Sequence, residues 1–143
     1  MTDMETIARQ LIEALPFSNA LGMRLEAVGE GCATISMPWD ARFVGDPRSG
    51  VIHGGAVSAL LDTCSGAAVA AHPDGTGITA TIDLRIDYMR PATPGRALRG
   101  EAVCYHATRT VAFVRATATD GETATPVATA KGAFTFEKRK TDR

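Results

Sequence analysis

Aromatic residues make up only 6% of this 143-residue sequence, cysteines number three, and neither sign of charge prevails, with 15 Lys and Arg against 16 Asp and Glu for a formal charge of -1. Near-neutrality removes the overall positive field that would draw the chain to nucleic acid or an anionic membrane. The partners to expect are small molecules and further copies of the same chain. Cys32, Cys64 and Cys104 are odd in number, widely spaced and free of any C-x-x-C pair, which argues against a disulfide framework and against a cysteine zinc site. His53, His72 and His106 show no ligand spacing such as H-E-x-x-H, so no metal is expected. No apolar run approaches the roughly 20 residues that span a bilayer. The start, Met1-Thr2-Asp3-Met4-Glu5, is acidic and polar and lacks the basic and apolar regions of a signal peptide, so a cytoplasmic location is expected. The sequence also lacks a G-x-S-x-G elbow, a P-loop and a G-x-G-x-x-G fingerprint. Serine hydrolases, nucleoside triphosphatases and dinucleotide enzymes drop out with them.

What is present is a chain with 45% hydrophobic and 22% charged residues, the make-up of one domain over residues 1–143 that can bury its own core. Ile7, Leu11, Ile12 and Leu15 recur at helical intervals with Pro16 just beyond, which predicts a short amphipathic helix. Two β-prone runs, 23–28 and 32–37, meet at the turn Gly29-Glu30-Gly31. A Pro- and Gly-rich loop over 38–50 carries Trp39 and Phe43, the expected apolar wall of a site. The segment 54–71 is apolar almost all round and reads as a buried core helix. Its exceptions, Gly55, Ser58, Asp62 and Ser65, form one narrow small or polar stripe. From Thr79 to Tyr88 apolar and polar residues alternate strictly, with Thr81 in the polar set, as in a half-buried strand. Three further strands are expected within 97–105, 110–119 and 127–138, and a frayed charged tail over 139–143. One long helix among strands, without repeated strand-helix-strand units, predicts an α+β fold whose antiparallel sheet wraps the helix.

A water attacking a carbonyl needs donors for the developing oxyanion and a base. Gly54 and Gly55 open the core helix, so their N–H groups are among the unpaired donors at its positive end, and a carbonyl can approach them closely. Asp62, flanked by Leu60, Leu61 and Cys64, is the candidate base, and burial would enhance its basicity. Cys64, mid-helix among apolar residues, is expected to be a structural thiol. Eight helical residues separate Gly54 from Asp62 by about 12 Å. Two antiparallel copies of the helix, packed through the small stripe, would bring Asp62 of one subunit to Gly54 of the other.

The runs Gly50-Val51-Ile52-His53-Gly54-Gly55, Leu60-Leu61-Asp62-Thr63, Ala80-Thr81-Ile82-Asp83-Leu84 and Tyr88-Met89-Arg90-Pro91-Ala92 closely resemble the phenylacetate-degradation group of hotdog thioesterases, over roughly residues 15 to 137. The resemblance implies the hotdog fold and hydrolysis of acyl-CoA thioesters of small to medium or aryl acids, with no cofactor beyond the CoA of the substrate. It implies that Gly54 polarises the thioester carbonyl, that Asp62 is base or nucleophile, that His53 orders the site and that Thr81 positions water or the carboxylate. It further implies a homodimer or homotetramer with the acyl group at the interface. Gly55 and Ser58, from the helix stripe, and Arg90, as a contact for CoA phosphates, complete the candidate substrate contacts. One departure stands out: many relatives carry Asn six residues before the histidine, where this chain has Pro47 preceded by Asp46. Two other readings share the fold, a non-catalytic acyl-CoA-binding module and a dehydratase.

Overall fold

The computed structural model describes residues 3–121 and 124–141. The N-terminal amphipathic segment forms α1 (Asp3–Ala14), and a second short helix, α2 (Pro16–Ala20), follows across Leu15. Pro16, expected only to stop the first helix, also starts the second. At a first helical position its missing N–H costs no hydrogen bond and its fixed φ suits the turn. β1 (Arg24–Gly29) and β2 (Cys32–Met37) pair antiparallel around the expected glycine turn. The loop that follows contains a 3-10 turn (Ala41–Phe43) and two short antiparallel strands, β3 (Val44–Asp46) and β4 (Val51–Ile52), which its turn-rich composition hides. Then come α3 (Gly54–Ala70), β5 (Thr81–Tyr88), β6 (Leu98–Ala107), β7 (Val111–Thr119) and β8 (Ala128–Thr135).

Six strands form one antiparallel sheet in the order β1-β2-β6-β7-β8-β5. Alternation places Ala33, Ile35 and Met37 of β2, Leu98 and Ala102 of β6, and Ala116 and Ala118 of β7 in the core. Onto them α3 lays Leu60, Leu61, Cys64 and Ala68, all fully buried. The fold is therefore the α+β arrangement expected, a sheet around one long helix.

β5 differs from expectation. It pairs with β8 alone and forms the outer strand of the sheet. Its apolar Ile82 and Tyr88 are 57% and 52% exposed, because α3 sits over β2, β6 and β7 and meets β5 only at its margin. Beyond β5 the chain is pinned by a buried ion pair. Asp120, whose side chain is 0% exposed, accepts from Arg90 Nη1 at 2.8 Å and Nη2 at 2.7 Å. It also accepts from the Thr93 N–H at 2.9 Å and the Thr93 hydroxyl at 2.8 Å. The charged tail is partly anchored as well: Arg139 donates its backbone N–H to Asp74 and its Nε to Gly75. Residues 142 and 143 lie outside the described residues.

Candidate active site

Short strand β4 delivers the chain to His53, whose backbone is extended and whose side chain caps α3, Nδ1 accepting the Gly55 N–H at 2.8 Å. An accepting Nδ1 puts the proton of the neutral ring on Nε2. The cap also explains the second glycine, since a Cβ at Gly55 would stand 2.9 Å from that nitrogen. Of the two N–H groups expected to meet an oxyanion, the one at Gly55 is therefore engaged by His53. The Gly54 N–H has no acceptor among the described residues. The Gly54 carbonyl faces the other way, with the hydroxyls of Ser58 and Tyr88 each at 3.1 Å and within hydrogen-bonding reach of each other, so two protons are shared over three contacts.

Two turns along α3, Asp62 accepts a hydrogen bond from the Thr81 hydroxyl at 2.7 Å. Strict alternation puts Thr81 with Asp83, Arg85 and Asp87 on the outer face of the sheet. Instead a β-bulge between Thr81 and Asp83 swings it to the helix side. Gly132 on β8 makes the bulge possible, because a Cβ there would collide with the Asp83 carbonyl oxygen. Asp62 itself is half-buried in the single chain, where its sequence neighbours predicted burial. The stripe is also shorter than expected. Gly55, Ser58 and Asp62 remain open or half-open, whereas Ser65 is fully buried and its hydroxyl finds no partner among the described residues.

A cavity of about 420 Å³ opens where α3 begins, lined by Gly54, Val57, Tyr88, Met89, Ala92 and Val127 among others. Arg90 borders it, yet its guanidinium is turned to Asp120 and to the Thr125 and Pro91 carbonyls. Trp39 and Phe43 do not line it. Phe43 is in the core, and the Trp39 indole donates to the Gly50 carbonyl at 2.9 Å, so both brace the loop. Asp46 is likewise occupied locally. Its carboxylate accepts from the Arg48 N–H at 3.0 Å and the Ser49 hydroxyl at 2.9 Å, and these bonds hold it below its ordinary pKa. Burial pushes the Cys64 thiol up to about 12, as befits a structural cysteine. Tyr88 is the site residue that the sequence did not single out. Its only mark there is an aromatic closing an alternating strand.

The antiparallel sheet around one long helix is the fold of the hotdog thioesterases. The chain belongs to the thioesterase superfamily, whose family model matches residues 49–127, a span holding His53, Gly54, Asp62, Thr81 and Tyr88. It is 26% identical over 106 residues to the medium/long-chain acyl-CoA thioesterase YigI of Salmonella typhimurium, covering 65% of this chain and 68% of that one. To YigI of Escherichia coli strain K12 it is 28% identical over 101 residues, covering 62% and 65%. The matched stretch thus spans about two thirds of these curated relatives. Among solved structures, a Pseudomonas aeruginosa protein is 39% identical, with a TM-score of 0.77, over 92% of this chain and 98% of that one. The phenylacetic acid degradation protein PaaI of Thermus thermophilus, solved as a mutant, is 27% identical, with a TM-score of 0.75, over 86% and 99%.

Proposed function

We propose that this chain hydrolyses acyl-CoA thioesters to free acid and CoA. The observation that carries the proposal is the Asp62 carboxylate, held by Thr81 at 2.7 Å on the open stripe of α3. Asp62 activates water or attacks the carbonyl itself, and Thr81 orients it. The Gly54 N–H, at the positive end of the helix, takes the developing oxyanion. His53 orders that turn through its bond to Gly55, with Nε2–H directed away from the cap. No cofactor is called for, since both donor and base come from the chain.

Gly54 and Asp62 lie about 12 Å apart along the axis of α3, so one carbonyl meets both only if two subunits share the site. The open edge of β5 supports such a dimer. Ile78, Ile82, Tyr88 and Met89 are each more than half exposed there, and an unpaired edge with apolar side chains invites a second strand. Two-fold pairing at that edge would set the α3 helices antiparallel, Asp62 of one beside Gly54 of the other.

Apart from the Tyr88 ring, whose hydroxyl is engaged at the Gly54 carbonyl, the apolar lining of the cavity is aliphatic, and with Trp39 and Phe43 withdrawn it suits an alkyl group better than an aryl one. Medium-chain acyl groups are therefore the substrates proposed. The test is a panel of acyl-CoAs from short and aryl to long chain, with a thiol reagent reporting free CoA. We expect hydrolysis with an optimum at medium length, by a species that light scattering shows to be at least dimeric. Binding without release of CoA, or an active monomer, would overturn the proposal.

A further inference from the structure

The outer face of the sheet, away from α3, carries a row of three cations. Arg85 on β5 stands directly opposite Lys131 on β8, and Lys131 directly opposite Arg115 on β7. All three are exposed. Side chains so paired have their Cβ atoms about 4.5–5.5 Å apart, and like charges there repel. Among the described residues little relieves the repulsion. Asp87 pairs with Arg85 at 3.3 Å, and Arg115 lies over the Tyr105 ring at 5.4 Å from its centroid. Among the described residues Lys131 and Arg115 have no carboxylate partner. The row lines a shallow cleft of about 430 Å³, with the hydroxyls of Thr117 and Thr129 and the carboxylate of Asp87 beside it.

We propose that this row binds the clustered phosphates at the nucleotide end of CoA. The identity of the ligand rests on the acyl-CoA reading above, whereas the need for an anion rests on the row itself. Three cations on adjacent strands span about 10 Å, too far for one phosphate to meet all of them but suited to a diphosphate and a separate phosphate on one nucleotide. Two are arginines, whose planar guanidinium takes phosphate oxygens in pairs, and the threonine hydroxyls add donors. Position agrees with this. Arg85 precedes Tyr88 by three strand residues, about 10 Å along the strand and on the opposite face of the sheet, and Tyr88 lines the cavity at Gly54. The extended arm joining thioester to nucleotide can cover that distance around the end of β5. A bound polyanion also accounts for a row that weakens the unliganded sheet.

The experiment compares the full-length protein with Lys131→Gln/Arg115→Gln, neither residue being part of the catalytic machinery. Adenosine 3′,5′-bisphosphate is the calorimetric probe, and the same acyl group is offered on CoA and on pantetheine. We expect the double variant to bind the probe at least about tenfold more weakly and to raise KM for acyl-CoA in step. KM for acyl-pantetheine and kcat for both should hold, and the melting temperature should stay level or rise as the repulsion is relieved. Unchanged probe affinity overturns the site. Weakened probe binding with an unchanged ratio of the two KM values overturns the substrate assignment. If no thioester is hydrolysed at all, the catalytic reading fails by itself, and calorimetry still decides whether the phosphate site exists.

Discussion

The two flanks of α3 are built differently. On the side of β2, β6 and β7, Leu60, Leu61, Cys64 and Ala68 are sealed against alanines and aliphatics. On the side of β5, Gly55, Ser58 and Asp62 stay open or half-open, and the strand they face leaves Ile82, Tyr88 and Met89 more than half exposed. One flank makes the fold and the other carries the candidate site. A helix sealed all round would hold Asp62 in apolar surroundings with no route for substrate. The open flank admits one, and the apolar residues it exposes give a second subunit something to bury.

Substitutions on the two sides should therefore fail in different ways. The largest effect is expected at Arg90, where the ion pair with Asp120 anchors the chain after β5. Arg90→Ala leaves a fully buried carboxylate without its bidentate partner, which costs about 3–5 kcal/mol of stability. Denaturant unfolding would register this as a lower midpoint, while KM of the protein still folded should be unchanged. A stable Arg90→Ala enzyme with a raised KM would return Arg90 to the substrate.

On the open flank the loss should appear in rate instead. Asp62→Asn keeps size and hydrogen bonding but removes the basic charge. Its kcat should fall by roughly 10² or more, about 2.7 kcal/mol of barrier, at a nearly constant melting temperature. Near wild-type turnover would remove Asp62 from the chemistry. Unfolding would make it a structural acid and erase the contrast between the flanks.

Much of the fold was legible because periodicity reports on burial. The all-round apolar run became α3, the alternating runs became the sheet, and the glycines between 29 and 31 became its first turn. Gly54 and Asp62 stood out as candidates for the same reason, since a carboxylate and a glycine pair interrupt an otherwise apolar helix, and their meeting at one carbonyl rests on the proposed dimer. What stayed hidden depended on contacts distant in sequence. Nothing near Arg90 announces Asp120, and nothing near Tyr88 announces the Gly54 carbonyl. The exposure of β5 follows from where α3 rests on the sheet, which alternation within one strand cannot report. Thr81 is the sharpest case. Its alternation assigns it to the wrong face, and the glycine that corrects the error lies on another strand, at Gly132.

That correction supplies the smallest and most specific prediction. Thr81→Val preserves shape and β-branching while deleting the hydroxyl that holds Asp62, so the carboxylate loses one donor and its fixed orientation. A hydrogen bond to a charged group is worth about 1.5–3 kcal/mol, and part of that remains as water replaces the hydroxyl. A fall in kcat of about tenfold is therefore expected, with KM and melting temperature almost unmoved. Thr81→Ser restores the donor and should recover most of the rate, which a purely structural role for the β-branched side chain would not allow. Gly132→Ala attacks the same bond from the opposite strand, because its Cβ meets the Asp83 carbonyl and the bulge must shift. It should reproduce the kcat loss of Thr81→Val and add a loss of stability. If Thr81→Val turns over like the wild type, Thr81 does not position Asp62, and the bulge serves only the path of the strand.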